Sequence, residues 1–161
     1  MSLGVYIHIP FCAQKCLYCD FPSVAGASEL YEAYTAALCR EIASKGGILG
    51  AARVDSVYIG GGTPTVLPAG CLVRIGECLR RHADLAPDAE FTVEANPGTL
   101  DADKLAALLA AGATRLSLGV QAFDDVVLAA AGRIHTAALA EEGARVARAA
   151  VGRGFQVATH A

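Results

Sequence analysis

The chain alternates five strand-like segments with four helix-like segments, and this alternation limits the folds that it can adopt. The strand-like segments are short and rich in β-branched residues, and a loop separates each of them from the next helical pattern. A repeat of strand, loop, helix and strand predicts parallel strands joined by right-handed crossovers. The predicted strands are residues 5–9, 54–59, 90–94, 115–119 and 155–159, and the predicted helices are residues 29–44, 69–82, 101–111 and 137–150.

Residues typical of helix ends support two of these helices. Ser28 precedes the first helix, where a hydroxyl can cap the free N–H groups, and Gly46 and Gly47 are expected to end it. Asp101 begins the third helix near its positive end, and Gly112 follows its last turn. Both helices therefore have predicted boundaries.

Polar and glycine-rich motifs follow four of the predicted strands. Three cysteines follow the first strand, the glycine run 60–62 follows the second, Glu94 ends the third and Gln121 follows the fourth. In parallel sheets and barrels the functional loops collect at the carboxyl ends of the strands. The sequence therefore predicts one functional site at this edge of the sheet.

The three cysteines, Cys12, Cys16 and Cys19, have the spacing Cys-x-x-x-Cys-x-x-Cys. Three thiolates can hold an iron–sulfur cube by three of its irons, which leaves the fourth iron open to a small molecule. Two alternatives stay open on spacing alone. A zinc site would need a fourth ligand, for which His8 is available, and a disulfide scaffold would need an oxidising compartment.

The other motifs at this edge each have a functional and a plain interpretation. The glycines at 60–62 allow a ligand to approach the backbone closely, or they form an ordinary turn. Glu94 can accept bonds from hydroxyl or amino groups, or it can be a solvated strand end. Arg133 can bind a carboxylate with its planar fork, or it can form a surface salt bridge.

The remaining three cysteines and His135 are expected to be structural. Cys39, Cys71 and Cys78 lie in helical patterns and are interpreted as small buried apolar residues. His135 is interpreted in the same way as a structural side chain rather than a ligand.

Composition excludes several functional classes. The 161 residues are 54% hydrophobic and 18% charged with a net charge of −3, which predicts one globular domain. No long basic run indicates binding to nucleic acid or to an anionic membrane. No segment is long and apolar enough to span a bilayer, and the N-terminus does not resemble a secretory signal, so a cytoplasmic location is expected. Reduced cytoplasmic thiols favour a metal site over disulfides.

Five ordered motifs resemble the radical S-adenosylmethionine (radical SAM) proteins related to anaerobic coproporphyrinogen III dehydrogenase. The motifs are residues 6–19, 60–65, 94–99, 115–123 and 132–135. The resemblance extends from about residue 6 to about residue 150. It implies an α/β fold that is a partial parallel β/α barrel of the radical SAM type, with about five βα units and truncated at the C-terminus. Residues 1–161 would then be the N-terminal part of the core domain.

The resemblance also implies roles for ten residues. Cys12, Cys16 and Cys19 would ligate a 4Fe-4S cluster, and S-adenosylmethionine would bind the open iron through its amino and carboxylate groups. The expected contacts of S-adenosylmethionine are the backbone of Gly62 and Thr63, the polar side chains of Glu94, Gln121 and Arg133, and the flanking rings of Tyr6 and Tyr18.

Two branches of this family differ two residues after the third cysteine. The dehydrogenase branch typically has a further cysteine there, whereas this chain has Phe21. The sequence Cys19-Asp20-Phe21 is similar to the heme chaperones of the HemW type. This branch implies heme binding and delivery to respiratory proteins, an electron donor such as a flavodoxin or ferredoxin, and an unidentified heme acceptor. The alternatives are an oxygen-independent coproporphyrinogen III oxidase in porphyrin biosynthesis and a non-functional truncated fragment.

The last residues depart from the family pattern. Residues 151–154 are shifted relative to it, and the chain ends before the family's next cofactor-binding Asp, its Gly-Leu-Pro turn, a sixth strand and a C-terminal domain. These differences predict a cloned fragment, a truncated product or a reading-frame slip.

Overall fold

Seven strands are present in the computed structural model, which describes residues 2–151 and 155–160. In chain order they are β1 (Ser2–Ile9), β2 (Phe11–Cys12), β3 (Val24–Ala25), β4 (Arg53–Gly61), β5 (Asp84–Ala95), β6 (Arg115–Gly119) and β7 (Gln156–His160). Five of them form one sheet in the order β1-β4-β5-β6-β7, and every neighbouring pair in it is parallel. The predicted α/β fold with five parallel strands is therefore confirmed.

Six helices connect these strands in the described part of the chain. They are α1 (Tyr31–Ser44), α2 (Gly46–Leu49), α3 (Ala69–His82), α4 (Ala102–Ala111), α5 (Asp125–Ala130) and α6 (Ala137–Val151). Short 3-10 turns precede three of these helices: Ser28–Leu30 before α1, Pro64–Val66 before α3 and Pro97–Thr99 before α4. The sequence did not predict α2, α5 or the two short strands β2 and β3.

Several predicted boundaries are wrong. Gly60 and Gly61 belong to β4, because both lie in register with β1, and β5 begins at Asp84 rather than at residue 90. Gly46 and Gly47 begin α2 instead of ending the helical segment, since Ile48 N–H donates 2.9 Å to Lys45 O and continues the helical pattern.

The capping predictions have mixed outcomes. Ser28 starts a 3-10 turn and makes no side-chain cap bond there. Asp101 caps α4 as predicted, because its carboxylate accepts a 2.7 Å bond from Lys104 N–H. Gly112 ends that helix in the left-handed conformation at φ 96°.

The core lies between the sheet and the helices that cover it. Each fully buried aliphatic side chain stabilises the fold by about 1.5–3 kcal/mol. This packing holds the strands firmly, so the loops at their carboxyl ends start from fixed positions. The core side chains with no exposed surface include Ile9, Val54, Leu67, Ile75, Leu79, Leu108, Leu116 and Leu118.

The helical cysteines are only partly as expected. Cys71 is fully buried, but Cys39 and Cys78 are half-buried. These two lie where α1 meets α3, and the Cys78 thiol donates to Cys39 O at 3.3 Å.

None of the helices in the described residues is long and apolar enough to cross a membrane.

Candidate functional site

A cleft of about 160 Å³ opens at the carboxyl ends of the parallel strands. Loops from β1, β4, β5 and β6 contribute to it, so the motifs that the sequence placed at one edge do meet there. The predicted site residues that line the cleft are Cys12, Cys16, Tyr18, Cys19, Gly62, Thr63, Glu94, Gln121 and Arg133.

Tyr6 does not line the cleft. Its side chain is 56% exposed, and its hydroxyl is hydrogen-bonded to His8 Nδ1 at 2.9 Å. The ring stacks on that of Tyr58 with 6.2 Å between the ring centroids. Its position on β1 lies directly beside that of Tyr58 on β4, so Tyr6 packs on the residue whose hydroxyl is hydrogen-bonded to Glu94.

The cysteine loop is held at its base and at its tip. At the base, β2 pairs with β3, and Val24 N–H donates 2.8 Å to Pro10 O. At the tip, Leu17 N–H donates 3.2 Å to Ala131 O, and Gln14 Nε2 donates 3.2 Å to Gly132 O. These contacts bring the loop against the segment that begins the fifth motif.

All six cysteines are free, which is contrary to a disulfide scaffold. The zinc alternative also finds no support. Within residues 2–151 and 155–160, no three His, Cys, Asp or Glu side chains converge on a single ion, and both nitrogens of His8 have partners, Tyr6 OH and Pro22 O. The three thiolates of a cube bind different irons and need not converge on one point. Three thiolates alone would leave a zinc ion without the fourth ligand of a closed site, whereas they are enough to hold a cube with one iron open.

The glycine run brings the second motif against the cysteine loop. Gly62 N–H donates 2.8 Å to Ile9 O, and Thr63 N–H donates 2.7 Å to Phe11 O. A Cβ atom at position 62 would lie 2.4 Å from Phe11 O, so only glycine allows this approach. Because both N–H groups have partners, a cofactor would meet the carbonyl groups of this segment.

Glu94 is fixed by two donors and is not a solvated strand end. Tyr58 OH donates 2.5 Å to Oε1, and Gly61 N–H donates 3.2 Å to Oε2. Burial raises the pKa of Tyr58 to about 12, and the hydrogen bond to Glu94 adds to this effect. Tyr58 therefore stays a donor at neutral pH, and the carboxylate keeps its orientation towards the cleft.

Arg133 reaches across the cleft instead of forming a surface salt bridge. Nη2 donates 2.6 Å to Asn96 Oδ1 and 2.8 Å to Gly119 O. Nη1 donates 3.3 Å to Cys16 Sγ and 3.4 Å to Tyr18 OH. Its Nε–H is buried and has no hydrogen-bond partner among the described residues.

Gln121 has a strained backbone. Its φ of 69° is in the left-handed region, which residues other than glycine enter rarely. Its N–H donates 3.0 Å to His160 O on β7, so the end of β7 holds it in place. Strain of this kind is commonly found at functional sites.

His135 is structural, as expected. It is buried, Nε2 is hydrogen-bonded to Val120 O at 2.9 Å, and burial lowers the pKa of the ring.

Sequence reasoning missed Tyr58 and Asn96. Tyr58 occupies a strand interior, where an aromatic residue is expected for packing alone. Asn96 directly precedes Pro97, a combination that is typical of turns. Its position two residues after Glu94, at the carboxyl end of β5, was the available signal.

The family profile described as the radical SAM superfamily matches residues 6–159. The chain belongs to the radical SAM superfamily. The family resemblance of the five motifs is therefore confirmed, and it covers nearly all of the chain.

Curated relatives of this radical SAM chain carry heme-related names. The chain is 39% identical over 155 residues to the heme chaperone HemW of Escherichia coli K12. The aligned residues cover 96% of this chain and 40% of that protein. The chain is 44% identical over 141 residues to HemW of Synechocystis, which covers 84% of this chain and 34% of that protein. Anaerobilin synthase of E. coli O157:H7 is 42% identical over 125 residues, which covers 76% of this chain and 28% of that protein.

Solved radical SAM structures have the same fold. Coproporphyrinogen III oxidase (HemN) of E. coli matches with a TM-score of 0.84 and 30% identity over 97% of this chain and 36% of that chain. The cobalamin-dependent enzyme OxsB matches with a TM-score of 0.60 and 16% identity over 97% of this chain and 23% of that chain, a likeness of fold alone. The chain spans at most about 40% of the length of these relatives.

Proposed function

We propose that this chain is the N-terminal part, residues 1–161, of the core domain of a radical SAM heme chaperone of the HemW type. The supporting observation is its identity of about 40% to proteins named heme chaperone HemW over most of its length. Phe21, which lines the cleft where the dehydrogenase branch typically has a cysteine, agrees with this assignment. Its cytoplasmic location is part of the proposal, since reduced thiols are needed to bind a cluster.

Cys12, Cys16 and Cys19 would hold a 4Fe-4S cluster by three irons. Three observations support this role: the thiols are free, they line one cleft, and donors from Thr63 and Arg133 reach two of them. A reduced cluster of this kind supplies an electron to S-adenosylmethionine bound at its open iron.

The protein would hold S-adenosylmethionine by groups that the cleft already orients. Glu94 would accept from the amino group, with its carboxylate positioned by Tyr58 and Gly61. Arg133 would bind the carboxylate with a terminal nitrogen that releases a present partner, because both terminal nitrogens are engaged and Nε is enclosed in the protein. Gln121, Tyr18 and the carbonyls of Gly62 and Thr63 would complete the contacts. Heme would be the cargo, delivered to an acceptor protein, and a flavodoxin or ferredoxin would supply the electron.

Coproporphyrinogen III oxidation is the second candidate, favoured by the structural match to HemN at a TM-score of 0.84. The two functions differ in their outcome for the tetrapyrrole. A chaperone binds heme and leaves it unchanged, whereas the oxidase decarboxylates its porphyrinogen.

Anaerobic reconstitution with iron and sulfide tests the proposal. The dithionite-reduced chain should give an EPR signal that changes when S-adenosylmethionine is added. Heme titration should give a saturable change in absorbance, without decarboxylation of coproporphyrinogen III. Cys16→Ser should lose the cluster, whereas Cys78→Ser, a half-buried cysteine away from the cleft, should keep it.

Each negative result contradicts a definite part of the proposal. Absence of a cluster would contradict the metal site, and a signal that ignores S-adenosylmethionine would contradict the cofactor site. A decarboxylated product would favour the oxidase, and absence of heme binding would exclude the chaperone function for this chain.

A further inference from the structure

Three side chains, those of Thr63, Asn96 and Arg133, form a continuous hydrogen-bonded belt between two of the cluster cysteines. Thr63 Oγ1 lies 3.8 Å from Cys12 Sγ and 2.9 Å from Asn96 Nδ2. On the other side, Arg133 Nη2 lies 2.6 Å from Asn96 Oδ1, and Nη1 lies 3.3 Å from Cys16 Sγ. Asn96 is the middle member of this belt, although it contacts neither cysteine.

The direction of every hydrogen bond in the belt follows from Arg133. A guanidinium can only donate, so the atom of Asn96 that faces it must be the carbonyl oxygen. The amide nitrogen of Asn96 therefore faces Thr63 and donates to its hydroxyl oxygen. Because that oxygen accepts from Asn96, the Thr63 hydroxyl proton is free to point at Cys12 Sγ.

The surroundings hold Asn96 in this orientation. Arg133 Nη2 also donates 2.8 Å to Gly119 O, which fixes the edge of the guanidinium that Asn96 meets. A Cβ atom at position 119 would lie 3.0 Å from Asn96 Oδ1, so a side chain there would crowd the amide. Thr99 Oγ1 donates 2.9 Å to Asn96 O and supports its backbone.

We propose that Asn96 is a positioning residue that directs one hydrogen bond onto the sulfur of Cys12 through Thr63 and a second onto the sulfur of Cys16 through Arg133. This inference rests on the proposed function, because it concerns a cluster held by these cysteines. Hydrogen bonds to cluster sulfurs tune the reduction potential, and removing one lowers the potential because the thiolate then donates more charge to iron. Asn96 thereby raises the potential at which the cluster accepts an electron.

An isosteric substitution reverses the direction of one hydrogen bond in the belt, the bond between Asn96 and Thr63. In Asn96→Asp the carboxylate still accepts from Arg133 but cannot donate to Thr63. The Thr63 hydroxyl then donates to the new carboxylate and no longer to Cys12. Thr63→Val removes the same hydroxyl and keeps the backbone N–H bond to Phe11 O.

The experiment measures the midpoint potential of the reconstituted chain by EPR-monitored redox titration in four forms: unchanged, Asn96→Asp, Thr63→Val and the double variant. Both single substitutions should lower the potential. Thr63→Val should cause no further shift in the Asn96→Asp background, because its hydroxyl has already left Cys12. Thr65→Val is the matched control, since it removes a 2.6 Å hydroxyl bond to Thr99 beside the belt, and it should leave the potential unchanged.

Equal shifts from Thr63→Val in both backgrounds would overturn the proposal, as would an unchanged potential in Asn96→Asp. If Asn96→Asp does not fold, Asn96→Ala replaces it. It removes the donor that orients the Thr63 hydroxyl without offering a competing acceptor, so it should reduce the effect of Thr63→Val rather than abolish it. If the unchanged chain takes up no cluster, the proposed function fails, but the belt can still be tested. In the metal-free chain the losses in thermal unfolding midpoint from the two single substitutions should then be less than additive, and additive losses would show that no belt exists.

Discussion

Glu94 is a residue whose role depends on partners that are distant in the sequence. Tyr58 lies 36 positions before it, and their 2.5 Å bond is the shortest contact that orients the carboxylate. A carboxylate held on both oxygens loses little freedom when an ammonium group binds, which favours tight binding. The same carboxylate without its donors would be free to turn towards solvent.

Tyr58→Phe removes this donor and keeps the ring. The substitution should weaken binding of S-adenosylmethionine to the reconstituted chain and cost about 1 kcal/mol in free energy of unfolding. Isothermal titration and urea unfolding measure the two effects. Tyr31→Phe is the control, because its ring packs on Phe11 away from Glu94, and it should leave the affinity unchanged. An unchanged affinity in Tyr58→Phe would show that Glu94 needs no support from Tyr58.

The raised pKa of Tyr58 gives a pH dependence. The fold raises this pKa from 10.0 to about 12, so it favours the protonated hydroxyl. That stabilisation is complete below pH 10 and is lost as the pH rises towards 12. The unchanged chain should therefore lose more free energy of unfolding than Tyr58→Phe between pH 10 and pH 12. Parallel losses in the two chains, followed by urea unfolding, would contradict the raised pKa.

Sequence alone could identify the site residues that carry distinctive chemistry, because cysteine spacing, a glycine run and a carboxylate at a strand end are visible locally. It could not identify Tyr58 or Asn96. Their roles depend on side chains that the sheet brings together from 30 or more positions away, for example the bond from Asn96 to Thr63. The expected contact of Tyr6 with the cofactor stays a prediction, since its ring packs on Tyr58 and does not itself line the cleft.

At the scale of elements, the contact between α3 and α4 depends on one glycine. A Cβ atom at position 76 would lie 2.1 Å from Ala111 O, a backbone atom that cannot move without shifting the end of α4. The two helices cover neighbouring parts of the sheet, so their close approach determines how α4 leads into β6. The helix periodicity predicted both helices but not the distance between them.

Gly76→Ala should destabilise the chain by about 1–3 kcal/mol, because an added methyl group in a packed contact forces the helices apart. Gly70→Ala in the same helix is the matched control. A Cβ atom there meets nothing within 4 Å, so this substitution should leave stability unchanged or raise it by up to about 0.5 kcal/mol. Urea unfolding of both variants measures the difference. Equal stabilities would show that α3 and α4 separate without cost.

The elements that the sequence missed share a physical cause. The strands β2 and β3 have two residues each, and α5 has six, so none is long enough to show a hydrophobic period. They exist because neighbouring segments hold them, as when Ala131, directly after α5, accepts a bond from Leu17 of the cysteine loop. Long periodic elements were predictable, and the short ones that shape the cleft were not.

At the scale of the whole molecule, the candidate site brings together the first and the fifth sequence motif. Arg133 and Cys16 are 117 positions apart and meet 3.3 Å from each other across the cleft. A cofactor bound there would contact loops that follow β1, β4, β5 and β6 at once. Such a ligand binds only the folded chain, so its binding must stabilise the whole sheet and not one loop.

This linkage gives the final prediction. At 100 times its Kd, S-adenosylmethionine should raise the free energy of unfolding of the cluster-loaded chain by about 2.7 kcal/mol. Glu94→Gln should reduce this gain, because it removes the charge that faces the amino group. Glu141→Gln on the exposed side of α6 should keep the gain in full. Chemical unfolding under anaerobic conditions measures all three chains. If S-adenosylmethionine stabilised the Glu94→Gln chain as much as the unchanged one, the cleft at the carboxyl edge would not be its binding site, since Glu94 is the carboxylate that the fold holds there by two donors.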